Sequence, residues 1–211
     1  LDKSGSLKWS TCIGGSVAEA CYDIIVKDNY IYAIGYTNSS NGNITTSYGG
    51  MDILLSKLDT NGNLVWAKTY GGSGYDWGQG ICVTHDGLAL AGRTSSNNTF
   101  INNAKGAYDY FIIEIDTQGN ILWKNRYGGS GNDEGWSIKQ TQDNGFVFSG
   151  ASASSDKDVS TNYGTIDYWV IKMNSLGKLE WEINLGGTSN DQSDEIVETK
   201  KKEYLVVGRS M

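Results

Sequence analysis

Several stretches of this chain are apolar at consecutive positions instead of alternate ones. They include IYAIG from Ile31, LALAG from Leu88, FVFSG from Phe146 and YLVVG from Tyr204. YFIIEI from Tyr110 and YWVIKM from Tyr168 read the same way. A strand apolar on both sides is one that is covered on both sides. Beside these lie strands whose outward positions carry Lys68, Lys124, Arg126, Glu180 and Glu182, which predicts a rim facing water. Turn signals separate the strands at Asp28-Asn29, Asn61-Gly62, Asp86-Gly87 and Gly119-Asn120. In the second unit the expected strands are Gly78–Thr84, Leu88–Thr94, Asp109–Asp116 and Asn120–Tyr127. No helix-period segment competes with them.

The pattern recurs. LDTNGNLVWAKTYGGSGYD from Leu58 returns as IDTQGNILWKNRYGGSGND from Ile115, and more weakly from Met173 and Leu1, a spacing of 57 or 58 residues. Four antiparallel strands with a covered middle, repeated at this period, predict an all-β fold, a β-propeller of four-stranded blades. A β-solenoid is the alternative, but its coils are shorter, about 20–30 residues, and lack the four-strand meander. The chain then forms a single array of about 3.7 blades. The blades fall near residues 14–70, 71–127 and 128–185, with a split blade from 186–211 plus 1–13. Four periods would need about 17 residues more than the chain has, one strand and part of its loop. This leaves a gapped four-bladed ring, an arc of a larger ring, or a combination of two chains. Leu1 falls inside a repeat, so the sequence reads as a piece of something longer.

Composition narrows the function classes. A net charge of −7 argues against a nucleic-acid backbone as partner. No apolar run approaches the roughly 18 residues of a membrane helix, so no membrane insertion is expected. Three cysteines, Cys12, Cys21 and Cys82, sit at different places in the repeat. They read as small core or surface residues, with a Cys12–Cys21 bridge as the one pairing to consider. With His85 as the only histidine, a His/Cys zinc site is not expected, and no metal or cofactor is implied.

The Asp-x-x-Gly-x-x-x-Trp signature occurs as Asp59/Gly62/Trp66, Asp116/Gly119/Trp123 and Asp2/Gly5/Trp9, and with Asn as Asn174/Gly177/Trp181. Asp or Asn with Gly builds the turn between third and fourth strands, and the Trp buries its surface against the neighbouring blade. A calcium loop is the competing reading, but the length and terminal Glu of an EF-hand are missing. Gly-Gly-Ser/Thr segments at Gly14, Gly71, Gly128 and Gly186 link one blade to the next. A phosphate cradle would need a helix after the glycines, and a strand follows. An acid follows each link: Glu19, Asp76, Asp133 and Asp191. It caps the link's amides in one reading and forms a carboxylate ring for a cation or sugar in another. A second set, Asp52, Asp109 and Asp167, opens each third strand as a turn or inter-strand hydrogen-bonding residue.

First strands line the centre of a propeller. Ile24, Ile81, Ile138 and Ile196 repeat there, which suits packing. The columns before them diverge as Tyr22, Gln79, Trp136, Asp194 and as Asp23, Gly80, Ser137, Glu195. Trp77 sits at the same mouth. Tyr22, Trp77, Gln79, Trp136 and Asp194 are therefore the candidate ligand-binding residues, aromatics beside polar groups that suit stacking on a sugar ring. No nucleophile–base–orienter set is visible, so no catalytic residue is named. His85 lies in a turn beside Asp86, and no carboxylate pair stands out for glycoside chemistry.

The units GGSGxDxG…GxxxxG…YDYxIIxxDxxGNxxW resemble the bacterial β-propeller repeat family called SBBP, across nearly the whole chain. The first and last units depart most: GGSVAE lacks part of the motif, and KKKEY from Lys200 replaces the Asp/Asn-Gly turn. The resemblance implies a secreted or cell-surface bacterial setting and an interaction or scaffold role, with no defined activity. The Trp signature also looks like the tryptophan-docking motif of pyrroloquinoline-quinone dehydrogenases. There the Asp-to-Gly spacing is one residue longer, and their cofactor site is not found here, so the similarity reflects shared propeller packing. The expected function is a non-enzymatic interaction module with a protein or glycan partner and open blade edges able to self-associate. A carbohydrate-binding propeller is the alternative, and a lyase or hydrolase using one face comes third.

Overall fold

The computed structural model describes residues 1–98 and 100–211. It is all-β among the described residues. Three four-stranded antiparallel sheets follow one another in chain order, each a simple meander. The first holds β1 (Glu19–Lys27), β2 (Tyr30–Thr37), β3 (Asp52–Asp59) and β4 (Leu64–Tyr70). The second holds β5 (Asp76–Val83), β6 (Gly87–Thr94), β7 (Asp109–Asp116) and β8 (Ile121–Tyr127). The third holds β9 (Asp133–Gln140), β10 (Phe146–Ser152), β11 (Asp167–Met173) and β12 (Leu179–Leu185). β13 (Asp191–Glu198) and β14 (Tyr204–Ser210) form a two-stranded fourth sheet. The arrangement is propeller-like, with sheets as blades.

The core lies between blades, not within them. Tyr32, Ile34, Ile53 and Leu55 of blade one meet Leu88, Leu90, Phe111 and Ile113 of blade two in one buried cluster. Ala89, Ala91, Tyr110 and Ile112 of blade two meet Phe146, Phe148, Trp169 and Ile171 of blade three in the next. Val147 and Val170 of blade three meet Ile196, Tyr204 and Val206 of the last sheet. Each blade therefore has a forward face, which covers the next blade, and a rear face, which the preceding blade covers. Middle strands carry apolar residues on both sides because both faces are buried in this way.

Turns follow from local chemistry. Asp59 Oδ1 accepts the N–H groups of Asn61 (2.8 Å) and Asn63 (2.9 Å), and Oδ2 accepts from the Asn63 amide. Asp116 does the same with Gln118 and Asn120. These side-chain and backbone donors hold both carboxyls below their usual range, so the turn itself occupies both carboxylate oxygens of Asp59 and of Asp116. Gly62 takes φ 83°, the left-handed region that a Cβ disfavours, and the Trp9 ring packs where that Cβ would lie. Trp123 likewise packs on Gly177 of the next blade and edge-on to Phe146 at 5.7 Å.

Four expectations need correction. The second unit's first strand begins two residues earlier than expected, at Asp76 and not Gly78, and its counterparts begin at Asp133 and Asp191, because the link-capping acid is itself the first paired residue. Arg126 does not face water: it is buried, its Nε donates to Asp109 at 2.6 Å, and it reaches the Thr94 and Ser96 carbonyls. Residues 1–13, expected to supply a fourth strand, form none, since no third strand lies beside them. Ile24 is not packed: it is 62% exposed, against 2%, 1% and 0% for Ile81, Ile138 and Ile196. Those three sit on rear faces that a preceding blade covers, and blade one lacks that cover.

Candidate functional site

The blade links hold the acid columns. Asp76 Oδ2 accepts from Gly72 N (2.8 Å) and Ser96 Oγ (2.7 Å), and Oδ1 accepts from Thr94 Oγ1. Asp133 repeats this with Gly129, Ser154 and Ser152, and Glu19 caps Gly15 N while accepting from Thr37. The third-strand acids point at the same glycines. A Cβ built on Gly71 would lie 2.0 Å from Asp52 Oδ1 and 3.1 Å from Asp76 Oδ2. Gly128 stands likewise between Asp109 and Asp133, and Gly186 between Asp167 and Asp191. Asp52, Asp109 and Asp167 each keep one buried oxygen without a conventional partner. The two carboxyls of each pair thus meet against the backbone of one link glycine. These columns build the links.

Of the candidate ligand residues, Tyr22 and Trp77 come together across blades one and two. Their rings are near parallel at 6.5 Å. Tyr36 joins them, 5.1 Å from Trp77 and 6.0 Å from Tyr22. The Arg93 guanidinium lies 3.8 Å over the Trp77 ring and 4.9 Å from Tyr108. Arg93 also forms an ion pair with Glu134 of blade three. Tyr22 is half exposed, and burial pushes its phenol up, Tyr36 adding to this and Arg93 opposing it. Trp77 Nε1 and Arg93 Nε are buried and unpartnered.

Gln79 and Trp136 form a second group. The Gln79 amide, turned to satisfy both neighbours, donates to Gly135 O at 3.1 Å and accepts from Trp136 Nε1 at 2.7 Å. Asp194 stands apart, 3.8 Å from Arg209 on its own hairpin. The five candidates thus fall into three groups with no hydrogen bond or ring contact between them among the described residues. Nearby, Ser137 Oγ donates to Glu195, and Lys139 lies 2.9 Å from it. Burial works against that carboxylate's charge, yet the Ser137 and Lys139 contacts outweigh burial and hold its pKa below the usual range.

Tyr36, Arg93, Tyr108 and Glu134 were not read as site residues from the sequence. The signal was present: Tyr36, Arg93, Ala151 and Arg209 follow the repeated second-strand glycine and differ as strongly as the Tyr22 column does. Chemically the group offers flat faces and a guanidinium, but no activated nucleophile. Among the described residues no cluster of three or more His, Cys, Asp or Glu could hold a metal, and no helix is long and apolar enough to cross a membrane. His85 is exposed in the β5–β6 turn, 3.9 Å from Asp86. Cys12 and Cys21 are free and exposed, and Cys82 is free and buried.

The fold and the site define an all-β, propeller-like repeat protein. No family model matches the chain, and no curated protein matches it. Among solved structures it is similar to an ACO/RPE65 chimera (TM-score 0.40, 12% identity, 74% of this chain and 35% of that one). A variant of the Synechocystis apocarotenoid oxygenase is similar to the same degree (TM-score 0.39, 12% identity, the same coverage). The chain spans about a third of the length of those proteins.

Proposed function

We propose that this chain is a non-enzymatic β-propeller repeat module of the SBBP type, acting by protein contact as a scaffold in a secreted or cell-surface bacterial protein. The observation that carries the reading is where its polar and apolar groups are used. At the mouth, Arg93 pairs with Glu134, Gln79 with Trp136 and Asp194 with Arg209. At the array's ends, apolar side chains stand free: Ile24 and Val26 on β1, and Leu205 and Val207 on β14. In a continuous array these surfaces meet another blade, whether by closing a four-bladed ring or by extending an arc. The test is light scattering over a range of concentrations, beside the Ile24→Asp/Val207→Asp variant. Self-association that the variant abolishes is expected. A monomer at every concentration whose end faces bind no protein overturns the reading.

Carbohydrate binding is the second reading. It is favoured by the Tyr22–Tyr36–Trp77 stack and by the unpartnered Trp77 Nε1. Tryptophan fluorescence during titration with neutral and acidic oligosaccharides tests it. A saturable change lost in Trp77→Ala supports it, and a flat titration removes it.

A further inference from the structure

At its turn end, the seam between blades one and two is closed by two lysines. Lys57 Nζ reaches from β3 to the Thr117 carbonyl of blade two at 3.1 Å, with the Tyr30 ring centre 4.0 Å away. Lys27 Nζ reaches the Thr84 carbonyl at 3.3 Å. One period later the same two places hold Glu114 and Thr84, so neither can send an ammonium from blade two to blade three. A ring is lost as well: Tyr32 lies opposite Lys57, and Ala89 lies opposite Glu114.

The seam between blades two and three holds a cavity of about 320 Å³ at this place. Glu114 and Phe146 are its buried lining, and His85, Asp86, Asn144 and Ser175 are its exposed rim. We infer that this cavity receives the side chain of a lysine on a partner protein, whose ammonium meets Glu114 where blade one uses its own Lys57. This names the partner chemistry of the scaffold reading and rests on it.

Glu114 is 7% exposed, and its Oε2 accepts from Trp123 Nε1 at 2.5 Å. Its Oε1 has no hydrogen-bond partner among the described residues. A carboxylate this far from water with one neutral donor is poorly compensated, and an arriving cation restores part of what burial removes. Cations of the chain itself are engaged elsewhere. His85 stands 3.9 Å from Asp86 on the rim, and Lys139 of β9 lies 2.9 Å from Glu195. Lys172, the counterpart of Glu114 in blade three, is held by Asp143 at 3.0 Å and Glu180 at 2.9 Å. Ser175 is the counterpart of Thr117, so the backbone that receives Lys57 at the first seam has its equivalent on the rim at the second. Phe146 offers an apolar wall for the methylenes of a lysine stem. One free carboxylate oxygen suits the point charge of an ammonium better than the two-pronged fork of a guanidinium. Asp86 at the rim and the net charge of −7 favour the approach of a basic surface.

The experiment titrates the full ¹⁵N-labelled chain with Nα-acetyl-lysine N-methylamide and follows the Trp123 indole N–H, which donates to Glu114. A saturable shift of that resonance is expected, with none from the Nε-acetylated form and a weaker response to the arginine analogue. Glu114→Gln keeps an acceptor for the indole and should weaken binding about 10- to 100-fold. Glu114→Lys restores the residue of blades one and three and should abolish binding; Glu114→Gln carries the test alone should that variant misfold. No shift, equal binding of the acetylated form, or binding unchanged in Glu114→Gln overturns the inference. Binding of n-butylamine without binding of the blocked lysine also overturns it, since the site would then serve a free amine. Failure of lysine binding while the chain still self-associates through its end faces sinks this site alone and leaves the scaffold reading standing.

Discussion

The paired acids at each blade link make opposite predictions for two aspartates that converge on one glycine. Asp76 is buried and accepts three donors, Gly72 N, Ser96 Oγ and Thr94 Oγ1. Removing its carboxylate in Asp76→Ala strands the buried Gly72 N–H and two hydroxyls. Hydrogen bonds to a charged acceptor are worth about 1.5–3 kcal/mol each, and part of that loss is recovered by water, so a cost of about 3–5 kcal/mol is expected. Asp52 is buried to the same degree but is served differently: Oδ2 accepts from Tyr48 N at 2.8 Å, and Oδ1 has no conventional partner. Burial pushes its carboxyl up, the Tyr48 N–H opposes this, and Asp76 adds a smaller upward push. Asp52→Asn keeps the acceptor for Tyr48 and turns an amide donor towards Asp76. A gain of about 1 kcal/mol at neutral pH is expected, the net worth of one hydrogen bond, or roughly 2–4 °C in melting temperature for a chain of this size.

The sign with pH follows from linkage. A carboxyl raised in the folded state contributes stability below its unfolded pKa and loses it as pH rises through the folded value. The Asn variant's advantage should therefore shrink as pH is lowered, because wild-type Asp52 takes up its proton. Urea unfolding of wild type, Asp52→Asn and Asp76→Ala at neutral and mildly acidic pH reads all three. If Asp52→Asn loses as much stability as Asp76→Ala, or its gain grows on acidification, the reasoning is wrong.

Three further outcomes are expected. Arg126→Met leaves Asp109 buried without its cation and should cost about 3–5 kcal/mol in urea unfolding, whereas Lys124→Met, on the same strand, should cost little. Gly80→Ala would place a Cβ 2.6 Å from the Trp136 carbonyl; forcing β5 away from β9 should cost about 1–3 kcal/mol, read as a drop in melting temperature. Leu205→Asp, at a position 57% exposed, should change stability by no more than about 0.5 kcal/mol. Val147→Asp, the repeat equivalent at 0% exposure, should prevent folding as judged by circular dichroism.

What could be read from the sequence was what is settled within a few residues or repeated unchanged. The Asp59 and Asp116 turns are closed by donors no more than four positions away, so their motif was legible. The blade order followed from the period. Arg126 was misread because alternation on an outer strand says nothing about an acid on the neighbouring strand or the carbonyls of Thr94 and Ser96. Ile24 was misread because four identical residues do not share one environment when one blade lacks a neighbour. Residues 1–13 have the composition of a strand, but a strand exists only beside another. At the site, Tyr22 and Trp77 are legible because they lie on first strands, which line the centre of a propeller. Tyr36 and Arg93 are not, because they reach the same place from second strands, and only the folded seam brings the two columns together.

The pairs Tyr36–Trp77 and Arg93–Glu134, and the positions of Ala151 and Gln192, occupy one repeat-equivalent place at three successive seams, yet each has its own chemistry. Tandem units this alike are prone to dock one place out of order while folding. Here a slip is penalised at the seam itself. With β9 in the berth of β5, Glu134 would lie against Tyr36 with no guanidinium to meet it. With β13 in the berth of β9, Gln192 would leave Arg93 without its carboxylate. The mouth of the array thus makes each seam chemically distinct from the next, with the same residues that form the candidate site.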